Sequence, residues 1–122
     1  MIVGTVENLE ASIEIEVFDA AGRPQRVLAV IDIGYNGHLT LPAEVIKSLG
    51  LSLAGQRRAR LADDSIVLMD AYWGSVNWHG ARKSILVSQA EGGALVGMRL
   101  LAGSRMTLDV IDGGQVTIEA LP

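Results

Sequence analysis

The stretch SIEIEVFD, Ser12 to Asp19, sets Ile13, Ile15 and Val17 against Glu14 and Glu16 in strict alternation. Successive side chains of a strand point to opposite faces, whereas a helix would scatter these five around its circumference. The stretch therefore predicts a strand with one dry face and one wet face, and it commits the chain to a sheet. AAGRPQ follows, with Gly22 and Pro24 punctuating a turn, and RVLAVID returns. The returning arm is apolar at nearly every position, which predicts a central strand covered on both sides.

The same pattern continues along the chain. HLTL reads as a short strand and PAEVIKSLG as one short helix. Pro42 suits its first turn, Glu44 complements the positive end of its dipole, Lys47 sits near its end and Gly50 can close it. QRRARLADDSIVLMDAYW reads as strand, polar turn and strand, with Asp63, Asp64 and Ser65 at the tip. The second arm continues to Trp78, turns at His79-Gly80 and returns through ARKSILVS. Ala94 to Val96 form a short strand, and MRLLAG makes two helical turns before Gly103. RMTLDVI, the DGG turn and QVTIEAL form a last hairpin. Many short strands with one or two short helices predict a mainly β fold, a small closed or nearly closed barrel. A length of 122 residues fits a single domain, 1–122. With only two Trp, two Tyr and one Phe, its core must be built from Val, Ile, Leu and Ala.

Composition excludes several function classes. There is no cysteine, so disulfides and thiolate metal sites are ruled out. No apolar run approaches the roughly 18 residues of a membrane span. MIVGTVENLE lacks the basic start and long apolar stretch of a secretory signal, and the expectation is a cytoplasmic protein with no membrane partner. A net charge of −4 argues against nucleic-acid binding, because phosphate must be met by positive charge. The one basic cluster, QRRAR from Gln56 to Arg60, reads as the solvated face of a strand.

Chemistry has few places to reside. No G-x-S-x-G elbow occurs, and Ser75, Ser84, Ser88 and Ser104 fall in strand patterns. His38 and His79 are the only histidines and form no ligand pair, so each reads as a surface residue and no metal is expected. GGALVGMR has the glycines of a phosphate loop, but Met98-Arg99 stands where Lys-Ser/Thr is required. Asp63 and Asp64 would face water from a turn. Asp32 differs: it ends an apolar strand, Gly34 follows two residues later, and no basic neighbour pairs with it locally. Gly34 would let the backbone turn and bring its own N–H toward the carboxylate. Two readings stay open on these residues, a turn-initiating Asp and an acid held for catalysis.

VIDIGYNGHLTLP resembles the D-T/S-G loop of retropepsin-like (clan AA) aspartic peptidases of the small bacterial type, in the form V-I-D-T-G-F-N-G-x-L-T-L-P. ALVGMRLLAGSRMTLDV is similar to the second hallmark of that family: paired aliphatics before a glycine, a short helix, and a strand with S/T-hydrophobic-D. ARLADDSIVLMDAY falls where the family places its flap, the hairpin over the substrate. The resemblance runs from about Met1 to Leu121.

It implies a retropepsin-like β-barrel acting as an aspartic endopeptidase without a cofactor. Asp32 would be the catalytic residue, and Ile33, Gly34, Tyr35 and Asn36 the rest of its loop. Ala62, Asp63, Asp64 and Ser65 of the flap tip would meet a peptide or protein substrate together with Val96 and Gly97 of the second loop. Because one chain carries one D-x-G, the resemblance implies a homodimer through the terminal strands IVGTV and QVTIEAL, whose Val116, Ile118 and Leu121 would otherwise form an exposed apolar edge. Two departures stand out. Ile33 replaces a Thr or Ser whose hydroxyl bonds across the dimer beneath the two acids, and Arg99 replaces the usual Asp. With a glycine-free flap tip, Ile33 also supports an alternative: a non-catalytic dimeric β-module of the same fold that keeps a peptide-binding cleft.

Overall fold

The computed structural model describes residues 1–122, the side chain of Ala59 excepted. The elements run β1 (Ile2–Glu7), β2 (Glu10–Phe18), β3 (Pro24–Ile31), β4 (Leu39–Leu41), α1 (Ala43–Leu49), β5 (Ser52–Arg60), β6 (Ile66–Trp78), β7 (Ala81–Gln89), β8 (Ala94–Val96), α2 (Met98–Leu101), β9 (Ser104–Leu108) and β10 (Gly114–Ala120). Strands take 59% of the residues, so the fold is mainly β with two short helices.

The alternation in β2 does what its period requires. Ile13, Ile15 and Val17 are buried, while Glu14 faces outward. Each such side chain contributes about 1.5–3 kcal/mol when fully removed from water. Leu39, Leu41, Val76, Val87, Val96 and Leu100 join them, and the core is aliphatic with one aromatic, Trp78. Two positive-φ residues, His79 and Gly80, turn β6 directly into β7 so that Trp78 faces Ala81. At the end of α1, Gly50 adopts the left-handed conformation and donates its N–H to the Ile46 and Lys47 carbonyls.

All ten strands share one sheet, ordered β5-β6-β7-β4-β8-β3-β2-β1-β10-β9. It curls until β6 meets β2 through one pair, Val17 opposite Val76, while the end strands β5 and β9 stay unpaired with each other. The sheet is thus nearly closed and not a complete barrel. β3 is central, between β2 and β8, but it is not covered on both faces: Leu28 is 66% exposed. The terminal strands also correct an expectation. β1 and β10 pair with each other, and each has a second neighbour in the same chain, β2 and β9. Val116 and Ile118 are fully buried within the chain, so they form no exposed edge, and Leu121 alone of the three is exposed.

The arrangement that positions the site is the threading of β8 between β3 and β4. β8 runs parallel to β3, with Ile31 opposite Val96, and antiparallel to β4, with Leu39 opposite Val96. β3 and β4 are consecutive in sequence yet held one strand apart. Their connection, residues 32–38, must therefore bridge the end of β8.

Candidate active site

Asp32 sits at the first position beyond β3 and is still tied to the sheet, its N–H donating to the Val96 carbonyl at 2.9 Å. Its own Oδ1 accepts the Gly34 N–H at 2.9 Å, and its carbonyl accepts the Tyr35 N–H at 3.1 Å. The carboxylate thus caps the turn it begins, as short acidic side chains do. Gly34 adopts no positive φ; a Cβ there would lie 3.3 Å from Oδ1, so glycine serves by leaving room for the carboxylate. Asp32 is half-buried, and its Oδ2 has no hydrogen-bond partner among the described residues. Beside it Ile33 turns away from the core, 66% exposed.

The second loop clamps the first. Gly97 donates to the His38 carbonyl at 3.0 Å, Met98 to the Tyr35 carbonyl at 2.7 Å, and Arg99 to the Gly37 carbonyl at 3.1 Å. The first N–H groups of α2, which have no partner within their own helix, are satisfied by the carbonyls of the Asp32 loop. This close approach requires glycine. A Cβ on Gly97 would run into the Gly37 carbonyl and the Tyr35 ring, and would lie 2.8 Å from the Tyr35 carbonyl. Beneath the loop, buried Thr40 accepts the Leu95 N–H through Oγ1 at 3.0 Å, and the Tyr35 hydroxyl donates to Ser88 Oγ at 3.4 Å. Tyr35 is accordingly half-buried at the base of the loop, while Asn36 is exposed. The partner of Arg99 is also resolved: its Nε donates to the Asn36 carbonyl at 3.4 Å.

Over this loop lies a cleft of about 240 Å³. It is lined by residues 34–37 and Ser88 together with Arg57, Arg58, Arg60 and Met69 of the β5–β6 arm. Among the residues expected to meet substrate, Gly34, Tyr35 and Asn36 line the cleft. Ala62, Asp63, Asp64 and Ser65 are grouped at the hairpin tip instead, where Leu61 donates to the Ser65 carbonyl at 2.8 Å and Asp64 takes a positive φ. Asp63 does more than face water: the Ser65 hydroxyl and N–H donate to its Oδ1 at 2.6 and 3.0 Å and hold its pKa below the ordinary carboxylate value. Val96 and Gly97 act behind the loop, as its clamp.

Two features escape the sequence reading. The basic cluster is largely solvated as expected, with Arg58 and Arg60 exposed and Arg57 half-buried, but it also lines the cleft; three arginines within four positions just before the tip were its signal. His38 is no plain surface residue. Its Nδ1 is buried without a partner among the described residues, and burial holds its pKa below the ordinary value, with the positive charges of Lys83, Arg99 and Arg57 acting in the same direction.

The chain is similar to a solved structure, a retropepsin-like aspartic protease from Rickettsia conorii, with a TM-score of 0.52 and 18% sequence identity over 99% of this chain and 92% of that one. No family model and no curated protein sequence matches the chain. The likeness assigns a retropepsin-like fold. Among the described residues, no helix is long and apolar enough to cross a membrane.

Proposed function

We propose that this protein is an aspartic endopeptidase that acts as a homodimer, one Asp32 coming from each copy. The observation that carries the reading is the Asp32 carboxylate itself, half-buried at the end of β3, oriented by the Gly34 N–H and braced from behind by Val96 and Gly97, in a retropepsin-like fold. Hydrolysis of a peptide bond needs a base to take a proton from water and an acid to give one to the carbonyl oxygen. A single chain supplies one such carboxylate, so a second copy completes the pair.

Two carboxylates in contact cannot both ionise and therefore share one proton. The ionised member draws a proton from the attacking water while the protonated member donates to the carbonyl oxygen. A tetrahedral diol forms, and the C–N bond breaks as a proton passes to the amide nitrogen. The two apparent ionisations belong to the pair and not to either copy. In this dimer the exposed Ile33 side chains pack against each other, where a hydroxyl pair would otherwise tie the loops together.

A second reading rests on that same residue. Without a hydroxyl at position 33 the loops lack a polar tie, and the fold could serve as a dimeric peptide-binding module with no turnover. Incubating the wild type and Asp32→Asn with a mixed peptide library between about pH 4 and pH 7, a range that spans the upper ionisation of a shared-proton pair, separates the two. New fragments from the wild type alone are expected; identical digests at every pH would remove the enzyme. Sedimentation of the wild type measures the dimer independently.

A further inference from the structure

Building on the peptidase reading above, we infer that the cleft over the Asp32 loop selects peptides bearing a carboxylate side chain near the scissile bond, with Arg57, Arg58 and Arg60 as the receiving groups. These three arginines line the same small cleft as residues 34–37, and among the described residues no Asp or Glu lines it with them. Neighbouring positions of a strand point to opposite faces, so Arg57 stands on one face of β5 and Arg58 and Arg60 on the other. All three residues nonetheless line the cleft, Arg57 half-buried and Arg58 and Arg60 exposed, on an end strand of the sheet.

The charges are unspent within the chain. Among the described residues the one ion pair is Arg26 with Glu14 at 3.7 Å, far along the sheet on β3 and β2. On the β5–β6 arm Asp70 is engaged by Gln56 at 3.4 Å, and Asp63 by Ser65. Neither lies within ion-pair distance of the three arginines. Three of the ten cationic residues of a chain with net charge −4 therefore line one concavity. Guanidinium stays protonated throughout the range in which aspartic chemistry operates, and its planar fork matches a carboxylate with two parallel hydrogen bonds. Walls of protein on both sides concentrate the field of such a cluster.

Peptide is favoured over nucleic acid. A strand of phosphates needs an extended basic track and open aromatic faces. Here the cleft is about 240 Å³, its one aromatic wall residue is Tyr35, and that ring is packed on Gly97 with its hydroxyl bonded to Ser88.

The test uses the full chain carrying Asp32→Asn, so that binding is read without turnover. Short fluorescent peptides are made as twins, with Glu or Gln at one position scanned through the sequence, and their affinities are measured by anisotropy at about pH 6, where Glu is ionised. The Glu twin is expected to bind roughly tenfold more tightly at the favoured position, with the gap narrowing in high salt. Arg57→Gln and Arg60→Gln should each close much of the gap, and Arg57→Lys should keep part of it, at unchanged melting temperature. Equal binding of every twin pair, or a gap untouched by these substitutions, overturns the inference. So does a single-stranded oligonucleotide that displaces the peptide with higher affinity, which would give the cleft to nucleic acid. Parallel digests with the wild type keep the two readings apart. Glu and Gln twins cleaved equally well would leave the peptidase standing without acid selectivity, whereas no cleavage beside Glu-selective binding would leave the selectivity standing without the peptidase.

Discussion

Ile33→Ala is the most telling perturbation of the proposed assembly. Within one chain the side chain is 66% exposed, so truncating it removes little internal packing. The stability of the isolated chain should change by no more than about 0.5 kcal/mol, as for ordinary surface positions. At a two-fold contact the same side chain becomes buried. Alanine lacks three of its carbons, worth about 2.4 kcal/mol if fully buried, and about two-thirds of that, roughly 1.6 kcal/mol, is available for burial on association. Two copies meet at the axis, so the dimer loses about 3 kcal/mol and its dissociation constant rises roughly a hundredfold. Sedimentation velocity over a dilution series measures that constant, and denaturation of the monomer at high dilution measures the chain's own stability. An unchanged dissociation constant, or a chain destabilised as much as the dimer, would refute the placement of Ile33 at the contact. Ile33→Thr adds a finer comparison. If the missing hydroxyl limits the protein, each restored hydrogen bond returns about 0.5–1.5 kcal/mol, and both association and cleavage improve over wild type.

Three further outcomes follow from the geometry. Gly97→Ala places a Cβ against the backbone oxygens of Gly37 and Tyr35, and should cost about 3 kcal/mol, the upper end for overpacking, in urea denaturation; a wild-type midpoint would contradict the clamp. Thr40→Val strands the Leu95 N–H and should cost about 1–3 kcal/mol by the same assay, while Thr40→Ser keeps the acceptor and most of the stability. The lowered pKa of His38 means that the unfolded chain binds its proton first as pH falls. Its neutral form therefore favours folding above the ordinary value of 6.5, and that contribution is lost as pH falls through the folded value. His38→Gln should accordingly flatten the fall in melting temperature below pH 6.5, and a wild-type-to-variant difference that is constant with pH would exclude this linkage.

Local pattern carried most of the elements. The alternation of β2, the Pro42 to Gly50 frame of α1, the His79-Gly80 turn and the short β8 each follow from residues a few positions apart. The turn around Asp32 was equally legible, because Gly34 is its own hydrogen-bond donor two residues away. What stayed hidden was set by partners distant in sequence. Nothing in RVLAVID announces that Leu28 stays uncovered, and nothing in IVGTV or QVTIEAL says that these strands pair with each other. The role of QRRAR depends on β5 being an end strand beside residues 34–37, which is a property of sheet order and not of composition. The setting of His38 depends likewise on distant residues: its Nδ1 is buried, and cationic groups from β5, β7 and α2 act on it through their charge.

The insertion of β8 between β3 and β4 has a consequence for how such a chain matures during synthesis. Residues 94–101 emerge long after Asp32, yet they supply every backbone contact that pins the loop from behind. A ribosome-bound chain that has not reached Ala94 carries its acid on an untethered connection. The carboxylate acquires its setting only when the last quarter of the polypeptide arrives, so any chemistry proposed for it is deferred until the molecule is nearly whole.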